Sequence, residues 1–144
     1  MQQLMGCWQI KATTFPMWLS VKRSKPTITY GQIANKPQCL SDLVTYQTNH
    51  GRTKKIKGVD HLKGEVFEWR GRGLLKPLTS RWQIVFLEED LLVIRFSASL
   101  FTPAGVDLLV RDGAKFQGLE KLSAAPGAIG LTDEEARQLI WLLP

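Results

Sequence analysis

The sequence predicts an all-β protein: an eight-stranded antiparallel up-and-down β-barrel with one C-terminal α-helix. Three observations lead there. Short runs of β-forming residues recur along most of the 144 residues, with turn signals between them. Met5-Gly6-Cys7-Trp8-Gln9-Ile10 opens the first run, and Leu108-Leu109-Val110-Arg111 closes the last about a hundred residues later. Only the tail, from Leu131 onward, carries a convincing helix start.

The elements follow in order. Gly6–Thr14 reads as the first strand. Phe15-Pro16-Met17-Trp18-Leu19 is an apolar cluster around a proline, hence a loop that packs. Thr27-Ile28-Thr29-Tyr30 is a short alternating strand, and Ala34-Asn35-Lys36-Pro37 a turn. Leu40–Thr48 sets Leu43, Thr45 and Gln47 against Val44 and Tyr46, and Asn49-His50-Gly51 reverses the chain. Arg52–Gly58 places Lys54, Ile56 and Gly58 on one face. Val59-Asp60-His61 then leads into Gly64–Arg70, where Phe67 and Trp69 oppose Val66 and Glu68. Gly71–Ser80 is a loop. Trp82–Glu88 and Leu91–Ser97 form a hairpin across Glu89-Asp90, and Val106–Arg111 is the eighth strand. Eight such runs imply a closed antiparallel meander. In the tail, Thr132 and Glu135 form a capping box, and Ala136, Leu139, Ile140 and Leu143 share one helical face. A helix over about 132–143 is expected to lie against the outside of the sheet.

Composition bounds the rest. Hydrophobic content of 44% and charged content of 22% are those of a globular domain, and one domain spanning 1–144 is expected. No apolar run reaches the roughly 20 residues of a membrane span. Gln2, Gln3, Gln9 and Lys11 interrupt any secretory h-region, so a cytoplasmic location is expected. Cys7 and Cys39 read as buried thiols of a reducing compartment, with a disulfide between strands as the alternative. Net charge is +6 and uneven: residues 21–81 hold 13 basic and 4 acidic groups, +9, and the remainder 6 and 9, −3. That asymmetry steers anions or serves solubility.

These residues carry a resemblance. Gly6-x-Trp8-x-Ile10 is similar to the opening motif of the lipocalins, without the usual preceding Asn and following aromatic. Leu108-Leu109-Val110-Arg111-Asp112 is similar to the closing motif. Trp82-Gln83-Ile84-Val85-Phe86 followed by Leu92-Val93-Ile94 resembles the hairpin that bacterial lipocalins carry there. The chain thus resembles a lipocalin or a close calycin relative over residues 5–143, and within that group a smaller lipocalin-like set of bacterial and fungal proteins. The resemblance implies that Gly6, Trp8 and Arg111 are structural. Trp8 plugs one end of the barrel, Arg111 lies across its indole, and Gly6 permits a close backbone approach.

It also implies a container for a small hydrophobic or amphipathic molecule. Trp69, Trp82, Tyr46 and Phe96 lie within strands and are the candidate lining, with Trp18, Leu19, Leu74, Leu75 and Leu78 as a rim. Arg95 interrupts a strand otherwise apolar on both faces. It must snorkel outward, pair with an acid such as Glu68 or Asp107, or face the cavity and clasp an anionic head group. No nucleophile elbow, P-loop, dinucleotide fingerprint or metal spacing is present, and no cofactor is expected. His50 and His61 stand alone, and a single histidine is enough only for a haem, the one cofactor the calycin resemblance keeps open. Arg52, Lys54, Lys55 and Lys57 make a basic strand without interleaved aromatics, so no nucleic-acid partner is expected. Oligomeric state is not legible. The alternative function is a calycin-type enzyme using a polar cluster inside the barrel.

Overall fold

Hydrogen bonding between neighbours in sequence builds almost the entire sheet of this protein, seen in a computed structural model that describes residues 1–100, 103–115 and 118–142. Eight antiparallel strands follow one another: β1 (Gly6–Thr13), β2 (Ser24–Gln32), β3 (Cys39–Gln47), β4 (Thr53–Lys63), β5 (Val66–Gly71), β6 (Thr79–Glu88), β7 (Leu91–Phe96) and β8 (Gly105–Arg111). β8 pairs back onto β1, and β1 pairs with β2, so the meander closes. The predicted eight-stranded barrel is the observed one.

Two of the expected boundaries move. Val59-Asp60-His61 is not a connection: β4 runs unbroken to Lys63 and pairs with both neighbours along that length. The charged Asp60 disguises the strand, yet it points inward and is fully buried. The tail also differs. Two short helices, α1 (Gly118–Ala124) and α2 (Asp133–Gln138), lie there, and the capping box of Thr132 and Glu135 forms as expected. The helix over 132–143 nevertheless stops at Gln138, and Ile140–Trp141 form a short strand, β9, on β1 opposite Ala12 and Thr13. β2 pairs only with Gly6–Gln9, so the far half of β1 has an unpaired edge. Strand pairing there, extended by Leu142 N–H donating to the Lys11 carbonyl at 2.8 Å, satisfies those backbone groups, as one more helical turn would not. Leu139 packs in the core as foreseen, Ile140 is half exposed, and Leu143 lies outside the described residues.

Two cores result. Inside the barrel, Leu4, Trp8, Leu40, Phe67, Leu92 and Leu109 fill the half nearest the start of β1. Outside, Ala12, Val93, Val106, Leu108 and Val110 pack beneath Ile129, Leu131 and Leu139 of the C-terminal segment. β-Bulges at Lys11 and Val85 reset the in–out alternation, turning Thr13 inward and Phe86 outward.

The sealed end matches its expected chemistry. The Arg111 guanidinium sits 4.2 Å from the centroid of the buried Trp8 ring and donates to the Met5 and Gln3 carbonyls, at 2.8 Å each. Trp8 Nε1–H donates to the Leu4 carbonyl at 2.8 Å. Gly6 is explained differently from the expectation. Its φ of +111° suits glycine, and a Cβ there would lie 3.1 Å from Arg111 Nη1, so the close neighbour is the guanidinium and not a strand backbone. Cys7 and Cys39 are free and only half buried. Trp8→Ala is expected to lower unfolding free energy by about 3–5 kcal/mol in chemical denaturation, because the cavity it leaves is walled by rigid strands.

Candidate functional site

Above Trp82 the barrel is hollow. A cavity of about 340 Å³ is lined by Ile10, Phe15, Trp18, Ile28, Trp69 and Phe96 among others, with Tyr30, Asp42, Trp82 and Asp107 also on its wall. Trp82 belongs to the filled layer below, with Phe67 stacked on it at 4.3 Å and Tyr30 at 5.5 Å. A larger depression, about 740 Å³, lies outside the sealed end between the N-terminal turn and the β2–β3 loop, away from these groups.

The expected lining is sorted by this geometry. Trp69, Trp82 and Phe96 are on the cavity wall. Trp69 reaches its place because Gly58, diagonally across on β4, has no side chain: a Cβ there would overlap the indole. Tyr46 is on the inner face but not on that wall. It meets Trp18 edge-on at 5.8 Å, with Arg23 5.8 Å from its ring. Trp18, Leu75 and Leu78 line the cavity, whereas Leu19 and Leu74 project into solvent.

Arg95 is not in the cavity, and its partner is neither Glu68 nor Asp107. Ile94 and Phe96 take the inward positions, so alternation turns Arg95 outward. There it donates to both carboxylate oxygens of Glu135, at 2.7 Å each, and to the Gly130 carbonyl at 2.8 Å. Glu135 also accepts from the Thr132 N–H, so one side chain caps α2 and ties it to β7. The pair holds Glu135 below the usual carboxylate range, chiefly through the Arg95 hydrogen bonds. No Lys, Arg or His lines the cavity among the described residues, which removes the anionic clasp. His50 and His61 are both exposed. Among the described residues no group of three metal-ligating side chains converges.

The polar groups that do face inward were not singled out from the sequence. Asp42, Asp60 and Asp107 are 6%, 0% and 3% exposed. Asp42 and Asp60 are neighbours across β3 and β4. Asp60 accepts the Trp82 indole N–H at 2.9 Å. Asp42 Oδ1 and Asp60 Oδ2 are buried without a hydrogen-bond partner. Burial raises both carboxyls, and at Asp60 the adjacent Asp42 raises it further. On the facing wall Asp107 Oδ1 accepts the Thr13 hydroxyl at 2.6 Å. Burial pushes Asp107 up to about 7, against that hydrogen bond. Tyr30 is held well above the ordinary phenol range, first by burial and then by Asp42. Sequence did hold one signal, at Asp42, which shares the face of Val44 and Tyr46 in an alternating strand.

The mouth is of the opposite sign. β1 leads from the sealed end to the open one, so the loops after β1, β3, β5 and β7 surround the opening. They hold Lys22, Arg23, Arg52, Arg72 and Lys76 and no acidic residue. Val21, Leu74 and Leu100 stand out among them, 80%, 99% and 97% exposed.

Comparison with known proteins adds the fold. No protein-family model matches the chain, and no curated protein does. Solved structures do. Lobster apocrustacyanin A1 superposes with a TM-score of 0.68 at 11% identity, covering 99% of this chain and 78% of its own. The siderocalin Ex-FABP, described as functioning through dual ligand specificities, gives 0.66 at 11% identity, over 99% and 95%. The bovine lipocalin allergen Bos d 2 gives 0.61 at 15% identity, over 97% and 92%. At such identities the likeness is one of fold.

Two outcomes are expected. Asp107 releases its proton near pH 7 when folded and near 3.8 when unfolded. Between those values the native state holds a proton that the unfolded state has lost, so stability falls as pH rises through that window and levels off above it. The full span is on the order of 4 kcal/mol. Thr13 is hydrogen-bonded to it, Tyr30 lies within reach of its charge, and Asp42, Thr79, Ser80 and Ser99 line the same cavity. Asp107→Asn is expected to flatten that part of a stability–pH profile measured by urea denaturation. Arg95→Met is expected to lower stability by about 1–2 kcal/mol, discounted for its partial exposure, and to leave the affinity of any cavity ligand unchanged in titration calorimetry.

Proposed function

We propose that this chain, which has the lipocalin fold, binds and carries a small molecule with an apolar body inside its barrel. The observation that carries the reading is a hollow of about 340 Å³ walled mostly by aromatic and aliphatic side chains, at the end of the barrel away from the Trp8–Arg111 seal. Burial of apolar surface supplies the affinity, at roughly 25 cal/mol per Å² before the cost of immobilising the ligand. Trp69, Trp82 and Phe96 are the contact residues, with Trp18 and Phe15 toward the mouth. Ex-FABP and a bovine odorant binding protein, the latter superposing at a TM-score of 0.58 and 14% identity, bear names that speak of ligands, which supports the reading by analogy of fold.

One observation favours a second reading, a calycin-type enzyme. Asp107, the Asp42–Asp60 pair and Tyr30 are ionisable groups on or beside one cavity, and Asp107 is poised to exchange its proton near neutrality. A container returns its ligand unaltered, whereas an enzyme consumes it.

A fluorescent apolar probe, N-phenyl-1-naphthylamine, tests the container. It is expected to bind with blue-shifted, enhanced emission. Val44→Trp, which places an indole in the hollow, is expected to weaken it at least tenfold while the far-UV spectrum stays that of a β-barrel. Equal binding by the variant would move the probe, and the function, out of the barrel. Chemical change in a bound molecule during incubation would favour the enzyme.

A further inference from the structure

Two carboxyl groups, Asp42 and Asp107, stand on the wall of a mostly apolar cavity, with Asp60 buried beside Asp42 and no basic side chain among the described lining. Two of their oxygens, Asp42 Oδ1 and Asp60 Oδ2, are buried without a hydrogen-bond partner among the described residues. Asp60 accepts the Trp82 indole N–H, Asp107 accepts the Thr13 hydroxyl, and Asp42 lies against Asp60. Burying a carboxyl that is incompletely hydrogen-bonded costs stability, and apolar residues of similar volume would fill the layer at no such cost. Acidic groups retained in that condition fit a ligand that completes them.

We propose that the inner end of the cavity binds the ammonium group of an amphipathic amine, with Asp42 as its principal partner and Asp107 on the facing wall as its second. The inference rests on the container reading and names the head group of its ligand. An ammonium brings three N–H donors and one positive charge. Two adjacent buried carboxyls disfavour a second negative charge; an ammonium that arrives as one of them gives up its proton to solvent takes that proton's place, so charge balances. A hydroxyl head supplies one donor and no charge, and so leaves the pair as it is. A carboxylate head meets only like charge. Asp60 stays bound to Trp82, and Tyr30, Thr13 and the cavity-lining Ser80 are polar groups nearby.

The basic mouth does not contradict this. Its five cationic side chains are on solvated loops, where salt screens them over about 8 Å. They slow the approach of a cation, whereas affinity is set by the desolvated contact inside.

The test is calorimetry of the full chain with octylamine, octanol and octanoate, at pH 7.5 in two buffers of different ionisation enthalpy. Octylamine is expected to bind at least tenfold more tightly than octanol, with release of a fraction of a proton that octanol does not cause. Octanoate is expected to bind most weakly. Asp42→Asn is expected to abolish the amine's advantage and its proton release while octanol affinity holds; Asp107→Asn, which retains an acceptor for Thr13, is expected to reduce that advantage in part. Equal affinity for amine and alcohol would overturn the ammonium site and leave the container standing. So would preference for octanoate. Failure of all three to bind, with the probe of the preceding section also silent, would overturn the container and this site with it.

Discussion

Arg111 holds the face of Trp8, the carbonyls of Met5 and Gln3, and the carboxylate of Asp90 at 3.3 Å. Through it the last barrel strand, the first strand, the N-terminal turn and the β6–β7 turn are fixed to one another. A guanidinium suits this task because its planar fork stacks and donates at once, which an ammonium does not. The filled lower half of the barrel depends on that closure, and the hollow upper half depends on the filled one. Trp82 is the boundary, supported from below by Phe67 and fastened sideways to Asp60.

Above that boundary the molecule tolerates features that work against stability. Carboxyl groups are buried with too few donors, and Asp107 holds its proton to near neutrality. Arg95 shows the contrasting case. It too is a charged residue in an apolar strand, but it meets a bidentate partner and a carbonyl outside the barrel, and so it pins α2 to β7. One charge is spent on architecture. Asp42, with a buried oxygen that no group among the described residues meets, has no such explanation, which is why it carries the functional argument.

The barrel, its strand order and its sealed end were legible from short-range signals: β-forming runs, turn residues and the Gly6-x-Trp8 pairing with Arg111. The lining positions Trp69, Trp82 and Phe96 were legible for the same reason, being large apolar groups at alternating sites. Arg95 was not, because a strand apolar on both faces gives no alternation from which to read its direction, and its partner Glu135 is 40 residues away. Asp42 and Asp60 were missed because an aspartate is ordinarily a turn or surface residue; only the register of β3 against β4 reveals that they meet inside. The end of the tail misled for another reason. Helical periodicity over Ala136, Leu139 and Ile140 is real, yet the open edge of β1 outweighs it.

β1 is paired on both sides, with β2 and β9 along one edge and β8 along the other. Of those partners only β2 is near it in sequence. While the chain is being made, β1 therefore waits with one edge bare until β8 emerges roughly a hundred residues later, and its far half waits longer still for Ile140 and Trp141. Contacts of that span close slowly, and a bare strand edge invites pairing with other chains in the meantime. The ring that makes a closed barrel out of a sheet is thus the last part of it to be assembled, and the interval before closure is when the chain most needs protection from its own copies.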